Sequence, residues 1–226
     1  MKEFDATVVS VTEKGVLLDQ TAFYPLGGGQ QNDTGVLAVD GVDHKVVDVR
    51  KEGDDIYHKI EPVADIKPGS RVRGRIDWDR RYSLMRYHTF LHVLDAIVHN
   101  KHNGNITGGI IYHDRCHMDF DMSINREIGE KLIEEANLEC EKGYGIKAYF
   151  ISPAEAEKIP NLARTLPGSS LIKTLDSIRI VEIEGMDLQA DGGTHVANTK
   201  EIGRMKLDGF KNMGAHRKRL EIKLVE

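Results

Sequence analysis

Cysteine and long apolar runs are both scarce in this chain, and each scarcity removes a class of protein. Two cysteines, Cys116 and Cys140, occur in 226 residues without CxxC spacing, which rules out a disulfide framework or a thiolate cluster. Both are expected to be reduced and structural. No stretch approaches the roughly eighteen unbroken apolar residues of a bilayer span, and the opening Met-Lys-Glu-Phe-Asp lacks a signal-peptide core. A cytoplasmic protein without membrane contact is expected. Positive charge is not in excess either: 31 Lys+Arg against 36 Asp+Glu give a net charge of -5, which argues against indiscriminate coating of nucleic acid. Local basic clusters can still meet a phosphate backbone.

With 40% hydrophobic and 30% charged residues, the composition suits a sizeable core in one large or two small domains. From Phe4 to about Arg75, short runs rich in Val, Ile and Thr are broken by Gly, Asp and Pro. Strands are predicted at 7–12, 15–18, 34–39, 44–50, 56–60 and 70–76. They describe a small β-barrel domain over residues 1–76. Between the second and third strands lies Thr21-Ala22-Phe23-Tyr24-Pro25-Leu26-Gly27-Gly28-Gly29-Gln30-Gln31, where consecutive glycines let backbone amides approach a ligand. A tight loop needing positive φ angles explains the same residues. The loop has neither a Gly-Lys-Ser/Thr ending nor GxGxxG before a helix, so nucleotide binding is disfavoured.

After Asp77-Trp78-Asp79-Arg80-Arg81 the apolar period changes from two to 3.6, and residues 77–226 read as a separate α+β domain. Leu84, Tyr87, Leu91, Leu94 and Val98 form the packing stripe of a helix over about 79–100. On the neighbouring face, His88 and His92 are separated by about 6 Å of rise, a span over which two imidazoles can converge on one ion. A solvated polar face is the duller explanation. Far along the chain, Asp191-Gly192-Gly193-Thr194-His195 offers a carboxylate and a third imidazole around a flexible turn. If the two stretches meet, three neutral imidazoles suit Zn2+, and an open coordination position would favour hydrolysis. Thr89, Phe90 and Leu91 fill the gap between the helical histidines, so the glutamate of an HExxH protease is missing.

The remaining chain alternates again. Asn105 to Ile111 leads into strands reaching Phe120, with Thr107 able to hydrogen-bond a ligand and a bulge or turn as the simpler reading. Ser123 is the expected cap of a helix over 125–142, with Ile128, Leu132 and Ala136 buried and Gly143 as its stop. A short helix is expected at 153–158 and strands at 177–184, 203–210 and 220–225, while 160–173 is poorly patterned. Basic clusters stand around the domain junction, where Arg80 and Arg81 lie, and at Lys211, His216, Arg217, Lys218 and Arg219. They suit either solubility or a polyanionic substrate.

Phe23-Tyr24-Pro25 with its Gly-Gly-Gly-Gln loop, His88-Thr89-x-x-His92 and Gly192-Gly193-Thr194-His195-Val196 together strongly resemble the free-standing alanyl-tRNA editing proteins, the AlaX family. The resemblance covers nearly the whole chain and, through the N-terminal unit, its medium-length form. It implies a β-barrel followed by an α+β editing domain of the threonyl/alanyl-tRNA synthetase type. It also implies hydrolysis of the ester joining serine or glycine to the tRNA specific for alanine. His88, His92 and His195 would be zinc ligands, and Asp191 stands where the family pattern places a cysteine. Asp191 would complete the sphere, or withdraw to orient a water, or mark a loss of metal affinity. Asp191 and Thr107 are the candidate catalytic side chains. Gly27, Gly28, Gly29, Gln30, Thr89, Arg80 and Arg81 are candidates for substrate contact. Two other function classes fit parts of the pattern: a tRNA-binding module with a decayed site, and a zinc hydrolase of a small ester or amide.

Overall fold

The period-two runs of the N-terminal third form β1 (Glu3–Thr12), β2 (Gly15–Leu18), β3 (Gly35–Val39), β4 (Val42–Glu52), β5 (Asp55–Glu61) and β6 (Arg71–Ile76). They pair antiparallel in the order β1-β2-β5-β4-β3-β6, and β6 returns to β1 to close a barrel. Closure leaves no free sheet edge. Alternate residues point inward, so Val8, Val16, Leu37, Val46, Val49, Ile60 and Val72 fill the interior. His58 is buried among them, 3.0 Å from the Val16 carbonyl and 2.8 Å from Thr21 Oγ1. Burial pulls its pKa down to about 4, which keeps the ring neutral.

The computed structural model describes residues 1–61, 66–163, 175–214 and 217–225. Among them the chain divides into two units, Met1–Ser83 and Leu84–Glu226. The glycine-rich loop belongs to the first and is tied down by Asp33. The Asp33 carboxylate accepts from the Tyr24 amide at 2.7 Å and from Arg81 Nε at 2.9 Å, while Arg81 Nη2 donates to the Ala22 carbonyl at 2.8 Å. Gly27 and Gln30 exchange backbone hydrogen bonds, and Gly28 and Gly29 adopt φ of 57° and 78°. The loop is a compact turn anchored by a buried ion pair.

Helix α1 (Trp78–His102) starts where Asp77 Oδ1 accepts from the Arg80 amide at 3.2 Å. From Leu84 onward it belongs to the second unit, and every residue from Tyr87 to Val98 is buried. The expected apolar stripe is present, but the histidine face is buried as well. The second unit also contains β7 (Asn105–Ile111), β8 (Cys116–Asp121), α2 (Arg126–Glu141), β9 (Ile146–Ile151), α3 (Pro153–Ala156), β10 (Ile178–Ile183), β11 (Asp187–Ala190), β12 (Met205–Asn212) and β13 (Lys218–Leu224). They form a four-stranded sheet, β12-β13-β8-β7, and a three-stranded one, β11-β10-β9. No helix among the described residues is long and apolar enough to cross a membrane.

Several expectations shift by a residue or more. Asn125, not Ser123, caps α2, because its side chain reaches the Ile128 amide at 2.9 Å. Ile128 is 37% exposed, so Leu132 and Ala136 carry the buried stripe without it. Two strands, β9 and β11, were not expected. β9 is exposed along most of its length and lacks a one-sided pattern, and β11 is four residues opening on an aspartate. Residues 164–173 and His216 lie outside the described residues.

Asp33 is fully buried, and removal of its guanidinium partner would strand a carboxylate in the barrel. Arg81→Met is therefore expected to lower stability by about 3–5 kcal/mol in urea unfolding. A loss under about 1 kcal/mol would mean that the ion pair does not anchor the loop.

Candidate metal centre

One turn of α1 separates His88 from His92, and their ring centroids are 5.2 Å apart. The segment after β11 brings His195 to 4.5 Å from His88 and 4.8 Å from His92. Asp191 completes the group. One donor atom from each of His88, His92, Asp191 and His195 lies within 4.8 Å of the others.

The close approach has identifiable causes. A Cβ on Gly193 would stand 2.0 Å from His88 Cε1, so only glycine lets the turn pass this close to the helix. Arg179 on β10 donates through Nη1 to the Asp191 and Gly193 carbonyls at 2.8 and 3.0 Å, holding both ends of the turn. The Gly193 amide donates to Asp191 Oδ2 at 2.7 Å. From α1, Thr89 donates to the Met85 carbonyl at 2.9 Å and accepts from the Val196 amide at 3.2 Å. Its Oγ1 also lies 3.2 Å from His195 Nδ1.

That last contact sets the chemistry of His195. With its single proton on the Met85 carbonyl, Thr89 can only accept from Nδ1. A neutral His195 then turns the Nε2 lone pair toward Asp191 Oδ2, 2.9 Å away. Two facing acceptors call for a cation. His92 Nδ1 is buried 3.4 Å from Asp187 Oδ2, which leaves Nε2 for the cluster. The facing acceptors of His195 and Asp191 fit a metal ion held by these four side chains.

Titration behaviour agrees. Burial holds His88 well below the ordinary imidazole range despite Asp191, and pulls His195 down to about 4. Burial alone would raise Asp191, but the neighbouring imidazoles, His88 first, hold it well below the usual carboxylate range. Burial also opposes charge on His92, yet Asp187, Asp191 and Asp95 outweigh it and raise that pKa. The ionised Asp191 beside neutral His88 and His195 is the protonation state in which oxygen and nitrogen bind metal, and His92 would release a proton on binding it.

The other candidate residues are distributed differently. Gly27, Gly28, Gly29, Gln30, Arg80 and Arg81 belong to the first unit, whereas Thr89, Thr107 and the four-residue cluster belong to the second. Gln30 is buried, and Arg81 is engaged by Asp33. Arg80 donates to the Asn32 carbonyl and Gln31 Oε1, both at 3.1 Å. Thr89 is fully buried, its hydroxyl engaged as described. Thr107 is exposed, at the bulge of β7 between Ile106 and Gly108. Arg179, Asp187, Gln189 and Asp95 escaped the sequence reading of the site. For Arg179 the sequence carries no signal; for the others the spacing is suggestive but not specific to a site, with Asp187, Gln189 and Asp191 at alternate positions and Asp95 three residues after His92 on the helix.

Comparison with known proteins places this geometry in context. Residues 1–80 match the family described as tRNA synthetases class II (A), and residues 178–221 match the threonyl and alanyl tRNA synthetase second additional domain. The chain is 42% identical over 222 residues to the alanyl-tRNA editing protein AlaX-M of Saccharolobus solfataricus, covering 97% of this chain and 93% of that protein. It is 39% identical over 236 residues to AlaX-M of Methanosarcina acetivorans, covering 100% and 96%. An alanine–tRNA ligase of Ignicoccus hospitalis is 40% identical over 211 residues, 92% of this chain but 23% of the ligase.

The depressed His195 pKa fixes a sign for stability without metal. The unfolded imidazole, near 6.5, takes up a proton that the folded ring refuses until about 4, so the contribution is complete above about 6.5 and lost as pH falls through that window. Urea unfolding in chelator is expected to show stability falling by on the order of a few kcal/mol from pH 7 to 4.5, with a shallower fall in His195→Gln. An unchanged slope in that variant would contradict a neutral buried His195.

Proposed function

Because the chain belongs to the AlaX-M family of alanyl-tRNA editing proteins, we propose that it hydrolyses the aminoacyl ester of mischarged tRNA(Ala), releasing serine or glycine, at a zinc centre formed by His88, His92, Asp191 and His195. The observation that carries the proposal is the convergence of those four side chains from two distant stretches. The substrate is the whole charged tRNA, met in the cytoplasm.

Zinc, when bound, supplies Lewis acidity toward the ester carbonyl and an acidified water. The protein's residues do the rest. Burial keeps His88 and His195 unprotonated, so each presents a neutral nitrogen, and His92 would release its proton as it takes the ion. Asp191 would give Oδ2 to the ion and, through Oδ1, accept a proton leaving water. Water oxygen bonds to the carbonyl carbon, the ester C–O bond breaks, and the proton passes to the 3′-terminal ribose oxygen of the tRNA. The ester is already activated, so positioning accounts for most of what the site must contribute.

Rejection of correctly attached alanine requires a group that hydrogen-bonds the serine hydroxyl. Among the candidates Thr107 is the exposed hydroxyl, whereas Thr89 and Gln30 are buried. Thr107 is assigned that contact here, and Thr89 the positioning of His195. Arg80 and the Gly27-Gly28-Gly29 turn are assigned to the tRNA backbone, where amide and guanidinium donors meet phosphate. Arg81 contributes by holding that turn through Asp33.

Turnover of Ser-tRNA(Ala) tests the reading. His88→Ala and His195→Ala, folded by circular dichroism, are expected to lose about a hundredfold or more in rate while binding tRNA with unchanged salt dependence. Full activity in both variants would refute the site. Hydrolysis of a small ester at equal efficiency would point to a hydrolase without an RNA substrate.

A further inference from the structure

Beside His92, the second unit buries a group of polar side chains that the hydrolysis described above does not use. Asp187 on β11 has a fully buried side chain, its Oδ2 3.4 Å from His92 Nδ1. Gln189, two residues on and therefore on the same side of the strand, donates from Nε2 to Asp187 Oδ2 at 2.9 Å and to Asp95 Oδ2 at 2.5 Å. Asp95 is itself buried, one helical turn beyond His92 on α1. One amide thus bridges two desolvated carboxylates, one from the strand and one from the helix.

Such an arrangement is costly unless positive charge lies close. A divalent cation held by the four side chains would supply it, through an imidazole that gives its proton to one carboxylate and its lone pair to the ion. His195 has a counterpart in Thr89, whose hydroxyl accepts at Nδ1. His92 has Asp187 in the equivalent place among the described residues.

We propose that Asp187 is a positioning residue for His92: its carboxylate, bridged by Gln189 to Asp95, holds the His92 proton on Nδ1, presents Nε2 to the ion and raises affinity for a divalent metal. The inference rests on reading His88, His92, Asp191 and His195 as a metal centre. Asp187 touches neither ion nor substrate. It acts on the ring, and through the ring on the retention of metal. Together with Asp191 it gives the centre two negative charges against a divalent ion, one in direct reach and one behind an imidazole.

The test strips the full-length protein of metal and titrates zinc against a chromophoric competitor. Wild type is expected to bind one zinc per chain, Asp187→Asn to bind it about 10- to 100-fold more weakly, and Asp95→Asn to show a smaller loss. Thermal melting of the stripped proteins separates positioning from scaffolding, because removing a buried negative charge should leave the melting temperature of the stripped variant no lower than wild type. Long-range 15N–1H spectra of the zinc-loaded wild type should place the His92 proton on Nδ1. Wild-type affinity in Asp187→Asn, or zinc on Nδ1 of His92, overturns the inference while leaving the metal centre intact. Failure of wild type itself to bind zinc removes the centre and the inference together. Should Asp187→Asn not fold, Gln189→Met severs the bridge and is expected to weaken zinc several-fold; unchanged affinity there overturns the proposal.

Discussion

Three imidazoles and a carboxylate cannot share a few ångströms of desolvated space as independent groups. Protonated rings would repel one another, and neutral rings turn lone pairs onto an ionised oxygen. The arrangement persists because each donor is fixed from behind: His195 by Thr89, the Asp191 turn by Arg179, and His92 beside Asp187. Gly193 lets the turn lie against His88 where any side chain would collide. These contacts explain why α1 is buried on both its apolar and its histidine faces, as a helix must be when it carries a site into the interior rather than covering one.

Asp191 gives this centre a character of its own. A thiolate at this position would be soft and strongly zinc-binding but open to oxidation. A carboxylate is harder, resists oxidation and can also take a proton from water. The surrounding contacts suit the carboxylate: Oδ2 accepts from the Gly193 amide, and the neighbouring imidazoles keep it ionised. In the first unit the buried Asp33 carboxylate is balanced within the protein, by Arg81.

Much of the fold was legible where one face is buried and the other wet. The six barrel strands follow from alternation, and α1 and α2 from a 3.6-residue stripe. What escaped was structure without one-sidedness: β9, exposed along most of its length, and β11, too short and too polar to register. The four-residue cluster was legible because i, i+4 histidines and the Gly-Gly-Thr-His turn are local signals. Its supports were not, since Arg179 acts through backbone carbonyls and Asp95 meets Gln189 only after a helix and a strand 94 residues apart are brought together. Thr89 and Gln30 read as substrate-facing polar groups in the sequence, and packing buries both.

The dependence of the whole arrangement on a cation is tested most directly by metal content and turnover measured on one preparation. Native mass spectrometry and deacylation of Ser-tRNA(Ala) would be followed before chelation, after it, and after zinc is returned. One ion per chain, with hydrolysis lost on its removal and recovered on its return, is the predicted result. A metal-free protein that hydrolyses the ester at the same rate throughout would contradict it.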